Sequence, residues 1–173
     1  DEPISLETEA VTWLTHKALI RRERQFATDF MASSVWGTDG SPTDWDSTGV
    51  PITDVQTAQR TVQTATGYIP NRMVCGLIVY HALQTNSQIT DLIKYTTRAL
   101  PGDLSDALLA TALGLESVLV SRASYNSAAE GATASLAPII DDDALVLYAA
   151  PSPGIMTASG GYTFFWTGGG GMG

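Results

Sequence analysis

An α+β fold is what this sequence predicts, and three observations carry that expectation. The first is a long segment, Leu6 to Met31, with helical spacing of apolar residues and neither Gly nor Pro inside it. The second is Thr66-Gly67-Tyr68-Ile69-Pro70-Asn71-Arg72-Met73-Val74-Cys75-Gly76-Leu77-Ile78-Val79-Tyr80-His81-Ala82-Leu83. There a helix stops at a glycine, a Pro-Asn turn follows, a short apolar strand runs, and a second helix starts at once. The third is a β-rich later part, with apolar runs at Ser117–Ser121, Ala144–Ala149 and Tyr162–Trp166.

Taken in order, residues 4 to 31 form the strongest helix candidate. Ser5 is the N-cap, and Glu7 and Glu9 sit in the first turn, where the helix dipole favours anions. Leu6, Ala10, Trp13, Leu14 and Ala18 make one apolar stripe, which Leu19, Phe26, Ala27, Phe30 and Met31 continue with a drift. At 1.5 Å per residue such a helix is on the order of 40 Å long, so it either projects from a small body or braces it. Lys17, Arg21, Arg22 and Arg24, interrupted by Glu23, read as a solvated face. Residues 32 to 51 read as a loop rich in turn formers, with Trp36 and Trp45 pinning it to the body. Asp39, Asp44 and Asp46 lack the spacing and the closing Glu of a calcium loop.

Thr53 or Asp54 is expected to cap a second helix to about Ala65, with Val55, Ala58 and Val62 inward and Gly67 as the stop. Met73–Gly76 is a short buried strand. Leu77–Leu83 and Ile89–Tyr95 are short helices joined at Asn86-Ser87, and Pro101-Gly102-Asp103 ends that stretch. Ser105 or Asp103 caps a further helix to about Leu113, which Gly114 closes before the strand Ser117–Ser121. Ser124–Leu136 reads as a surface loop. Asp141-Asp142-Asp143 reads as a solvated turn before a central strand, Ala144–Ala149, and Tyr162–Trp166 is a last aromatic strand.

The 173 residues suffice for one domain with a real core, alone or with a protruding element. Apolar residues make up 44% and charged ones only 16%; a freely soluble monomer usually carries more surface charge, so covered surface is expected. A net charge of −9 argues against a dedicated nucleic-acid binder. The one cysteine, Cys75, excludes an internal disulfide framework and reads as a buried, inert thiol between Val74 and Leu77. No apolar run reaches membrane-span length, and no signal peptide is visible. The opening at Asp1 and the close on Gly168-Gly169-Gly170-Gly171-Met172-Gly173 read as the ends of a fragment or processed product.

This order of elements resembles the major capsid proteins of tailed bacteriophages and prophages, the Hong Kong 97 fold. Leu6–Met31 is similar to the family's spine helix. Val55–Ala65, Met73–Gly76 and Tyr80-His81-Ala82-Leu83 are similar to the start of its axial domain. Gly114-Leu115-Glu116-Ser117-Val118-Leu119-Val120 resembles the family's next strand, and Asp143–Tyr148 and Ser159–Trp166 its later ones. The resemblance covers most of the chain by pattern and order, without the family's N-terminal arm, extended loop and closing peripheral strands. It implies a spine helix and loop over 1–50 in a peripheral domain, a mixed α/β axial domain over 51–150, and a return to the peripheral domain over 151–173. It also implies a salt-bridging use for the cations of the long helix, since spine helices of this family lie beneath a neighbour's extended loop. Some family members cross-link subunits through a Lys and an Asn; Lys17 and Lys94 are the lysines here, and nothing in the sequence supports such a bond.

The resemblance implies a structural, non-enzymatic role: a self-assembling subunit of an icosahedral virion capsid, built in the bacterial host cytoplasm. Its partners would be copies of itself in pentamers and hexamers, scaffolding, portal or decoration proteins, and packaged DNA held without sequence-specific contacts. No cofactor, metal or membrane enters this reading. A bacterial nanocompartment shell of the same fold is the first alternative, and a small hydrolase or ligand-binding domain the second. For the hydrolase, a nucleophile needs a base and an orienting acid. The histidines are His16, on a polar part of the long helix, and His81, which follows Cys75 across a strand–helix junction without a catalytic elbow. The Gly-rich end is no phosphate loop, because no Lys-Ser/Thr pair follows it.

Overall fold

The protein is a computed structural model that describes residues 5–37, 39–40, 42–46, 48–96, 105–152 and 154–163. Its helices and small sheets make an α+β fold. The first helix, α1 (Leu6–Phe30), starts as its sequence dictates: the Ser5 hydroxyl accepts from the Thr8 amide at 3.4 Å, and Glu7 and Glu9 stand in the first turn. It runs for 25 residues, about 37 Å, and the Met31 amide closes it onto the Ala27 carbonyl. None of its residues is buried.

The loop that follows is held by its two tryptophans. The Trp36 indole donates to the Phe30 carbonyl at 2.7 Å, and the Trp45 indole to the Asp54 carboxylate at 2.8 Å. A tight turn brings the Gly49 amide to the Asp44 carbonyl at 3.1 Å; a Cβ at Gly49 would lie 2.6 Å from the Thr43 carbonyl oxygen.

Helix α2 (Pro51–Thr66) begins earlier than the expected Thr53 or Asp54 cap. Pro51 suits the first helical position, having a fixed φ and no amide to leave unsatisfied. Gly67, left-handed at φ 79°, ends it by donating to the Gln63 carbonyl. Strand β1 (Arg72–Gly76) leads straight into α3 (Leu77–Thr85), then α4 (Ser87–Thr96), α5 (Asp106–Ala112) and β2 (Ser117–Ser121). Ser105 caps α5 by accepting from Leu108; Asp103, the other cap considered, and the Pro101-Gly102 stop lie outside the described residues.

The main sheet has the order β2–β1–β5, with β5 spanning Ala144–Leu147. Strand β1 runs parallel to β2, with Met73 opposite Val118 and Cys75 opposite Val120, and antiparallel to β5, with Met73 opposite Val146. The central strand is therefore β1, and the apolar run at 144–149 forms an edge strand instead of the central one its composition predicts. Its residues are only half-covered, so apolar content there reflects one packed face and contact with the 148–162 loop, not burial on both sides.

Residues 124–136 hold a small hairpin rather than a plain surface loop: β3 (Ser124–Asn126) pairs antiparallel with β4 (Leu136–Pro138). The Asn126 side-chain oxygen organises it, accepting from the amides of Ala128 and Ser135 at 3.1 and 2.9 Å. Of the expected last strand, Tyr162 and Thr163 are loop and the rest lies outside the described residues.

The buried cluster comes from the elements α2 to β2, with Val55, Met73, Cys75, Val79, Leu83, Ile89, Leu109 and Val118 among its members, and Trp45 and Val146 pack against it. Two asparagines fasten it. The Asn71 amide group donates to Glu116 and to the Ala149 carbonyl, and its oxygen accepts from the Ala149 amide at 2.8 Å, tying the start of β1 to both neighbours. Asn86, buried between α3 and α4, donates to the carbonyls of Trp45 and Gly49 at 2.8 and 3.1 Å and accepts from the Gln88 amide. Gly76 is required where β1 turns into α3: a Cβ there would run into the Asp141 carbonyl oxygen.

Candidate functional site

The residues that chemistry would need are scattered. Cys75 is fully buried, and burial above all, with the Asp106 charge adding to it, pushes its thiol up to about 12. His81 and His16 are both exposed, His81 on α3 beside the Tyr80 ring and His16 on α1. Cys75 and His81 thus face different media, core and solvent. Burial also raises the Tyr80 hydroxyl, helped by its hydrogen bond to Asp106. Asp106 in turn lies 3.6 Å from Arg122, whose guanidinium sits over the Tyr80 ring. This Tyr80–Asp106–Arg122 group was not singled out by sequence; it links α3, α5 and the end of β2 and acts as a brace.

The aspartates considered as ligands stay apart in role. The Asp39 carboxylate accepts from the Ser34 amide at 2.6 Å, which holds Ser34 at φ 66°. Asp141, Asp142 and Asp143 are exposed, and Asp143 is raised by partial burial and then by its two neighbours. Among the described residues no three His, Cys, Asp or Glu side chains are grouped as metal ligands.

Two shallow depressions mark the surface. One lies between α3 and the hairpin, lined by Leu77, Arg122, Leu136 and Pro138. The other lies between α1 and the hairpin, lined by Arg24, Met31, Tyr125 and Asp143. Neither gathers a nucleophile, a base and an orienting acid.

What the surface does present is uncovered apolar helix. On α1, Leu6 is 82% exposed, Trp13 60% and Leu14 59%. Among the described residues the helix meets the body through its second half: Glu23 accepts from the Ser121 hydroxyl at 2.6 Å, Arg24 lies 4.4 Å over the Tyr125 ring, and the Phe30 ring lies 6.1 Å from that of Trp36, tilted by 31°. The first half has the stripe of a packed helix, yet none of its residues is buried. A second apolar point is the tip Ile155-Met156, both 98% exposed. Its loop is tied down by Tyr162, which donates to the Ser152 carbonyl, and by the Gly160 amide on the Tyr148 carbonyl. Among the described residues, no helix is long and apolar enough to cross a membrane.

The architecture has a solved counterpart. The chain is similar in structure to a phage-related protein from Bordetella bronchiseptica RB50, with a TM-score of 0.74 and 22% sequence identity. The likeness takes in 91% of this chain and 52% of that protein, so the chain spans about half of its counterpart's length. At this identity the shared property is the fold. No protein-family model and no curated protein matches the sequence.

Proposed function

We propose that this chain is part of a shell-forming structural subunit, a capsid protein of a tailed phage or prophage with the Hong Kong 97 fold. The observation that carries the reading is the bare first half of α1, a long amphipathic helix with no buried residue on a chain that otherwise packs a real core. A helix of that kind is stabilised when other copies supply the missing contacts. The fold shared with a phage-related protein supports the same direction, as does the low charged fraction of 16%.

In this reading α1 and its loop, within residues 1–50, belong to a peripheral domain. Residues 51–150 form the axial domain, and 151–173 begin the return to the periphery. The partners are copies of the same chain in rings of five and six, with scaffolding, portal or decoration proteins added, and the packaged DNA is enclosed without sequence-specific contacts. Interface area takes the place of a catalytic site, and the subunit works without enzymatic activity or cofactor. It resides in the virion after assembly in the bacterial cytoplasm.

Electron microscopy with sedimentation of the full-length gene product tests this. Closed uniform shells or five- and six-membered rings are the expected result. Shells filled with protein cargo instead of DNA would turn the reading to a nanocompartment, and a stable monomer at high concentration would sink it.

A further inference from the structure

The outer side of α1 carries a chemical order that complements itself. Successive residues of a helix turn by about 100°, so residues seven apart lie nearly in line. Glu7, Leu14 and Arg21 form such a line, flanked by Ala10 and Lys17 on one side and by Val11 and Ala18 on the other. The contacts to the body come from the second half of the helix, through Glu23 and Phe30 on the opposite side and Arg24 on the flank. The stretch of the line from Glu7 to Arg21 makes none of them. Leu14 and Val11 are 59% and 62% exposed, and Glu7 and Arg21 are exposed with no ion-pair partner among the described residues.

Along this line the chemistry runs acid, apolar, base. Turned end for end, the same line runs base, apolar, acid. We propose that this face of α1 docks on the same face of a second copy of the chain, the two helices antiparallel about a twofold axis at Leu14. Glu7 then meets Arg21 of the second copy at both ends, Leu14 meets Leu14, and on the two flanks Val11 meets Ala18 and Ala10 meets Lys17. The small Ala10 and Ala18 let the helix axes approach to about 8–10 Å. The parallel arrangement sets Glu7 on Glu7 and Arg21 on Arg21, so charge selects the antiparallel one. A few turns of helix bury less than the roughly 800 Å² per partner of a stable interface. The pair is accordingly a weak, salt-sensitive contact that adds to larger ones.

Site-directed cross-linking of the full-length protein tests it. Leu14→Cys places one thiol at the axis; Leu19→Cys, 51% exposed at Leu19 on another side of the helix, is the control. The buried, high-pKa Cys75 stays silent. Under mild oxidant, L14C is expected to form disulfide dimers about tenfold faster than L19C, and Glu7→Lys in the L14C background to slow them by about tenfold. The swap E7K/R21E is expected to restore the L14C rate. Equal rates for L14C and L19C, or a swap as slow as E7K alone, overturn the contact. The contact stands apart from the shell reading: normal shells without L14C dimers would discard the pair and keep the shell, and fast dimers without shells would do the reverse.

Discussion

The two ends of α2 divide the molecule into regions built on opposite principles. Before it, α1 has every local signal of a helix, a Ser cap, acids in the first turn and no breaker, yet buries nothing. After it come short elements that would not persist alone, α3, α4 and α5 among them, each locked by a shared core of Met73, Leu83, Ile89 and Leu109. The comparison teaches that strong local propensity and strong packing are separable. Where the first occurs without the second, a helix stands formed with none of its residues buried.

The comparison is broken most sharply by the same substitution in both regions. Leu83→Ala, at a fully buried leucine, is expected to cost roughly 2–5 kcal/mol, whereas Leu14→Ala in the isolated subunit stays within about 0.5 kcal/mol. Denaturant titration of both variants reads the difference; equal losses would show that α1 is packed in solution. Gly76→Ala comes next. The Asp141 carbonyl leaves no room for the new methyl, and roughly 1–3 kcal/mol of stability is expected to go. Asn86→Ala belongs to the same range, about 1–3 kcal/mol, because the carbonyls of Trp45 and Gly49 lose their donor.

Alkaline pH sharpens the contrast by acting on the body. The Cys75 thiol ionises near 9 when unfolded and is held up to about 12 when folded. Between those values the unfolded state binds fewer protons, so stability falls as pH rises from 9 toward 12. Melting curves across that range should show the decline, and Cys75→Ala should flatten it, leaving the smaller slope that the raised Tyr80 hydroxyl contributes. An unchanged slope in the variant would place the alkaline loss elsewhere. The smallest effect is Ser5→Ala, which removes the α1 cap and costs that helix about 1 kcal/mol. It should speed amide exchange in the first turns of α1 without moving the global melt, and a shifted melt would couple the two regions.

Much of this architecture is legible in the sequence, for identifiable reasons. The α+β class and the start of the β1–α3 unit follow from Gly67 and Pro70, whose backbone demands are local, whereas Gly76 is demanded by the distant Asp141 carbonyl. The anchoring roles of Trp36 and Trp45 follow from large amphipathic rings in a polar loop. What sequence could not supply is relational. An apolar run such as Ala144–Leu147 does not say whether it has one strand neighbour or two. The β3–β4 hairpin is too short and too polar to show alternation, and its organiser, Asn126, is a single residue. Pro51 outranks Thr53 and Asp54 as a start because Asp54 is engaged by Trp45, a partnership that only the folded loop creates. The candidate site is the most relational feature of all. Apolar and charged positions on α1 are plain in the sequence, but that none of them is buried shows only once the body is placed.

Hydrogen–deuterium exchange on the full-length protein, compared between its dissociated and assembled forms, tests the central claim most directly. Amides of Met73–Cys75 and of α3 around Leu83 should exchange slowly in both forms. Those of the first half of α1 should exchange fast when subunits are apart and slow markedly on assembly, because other copies supply the cover the chain lacks. A first half of α1 that is equally protected in both forms, or that stays unprotected in the assembly, would contradict the account.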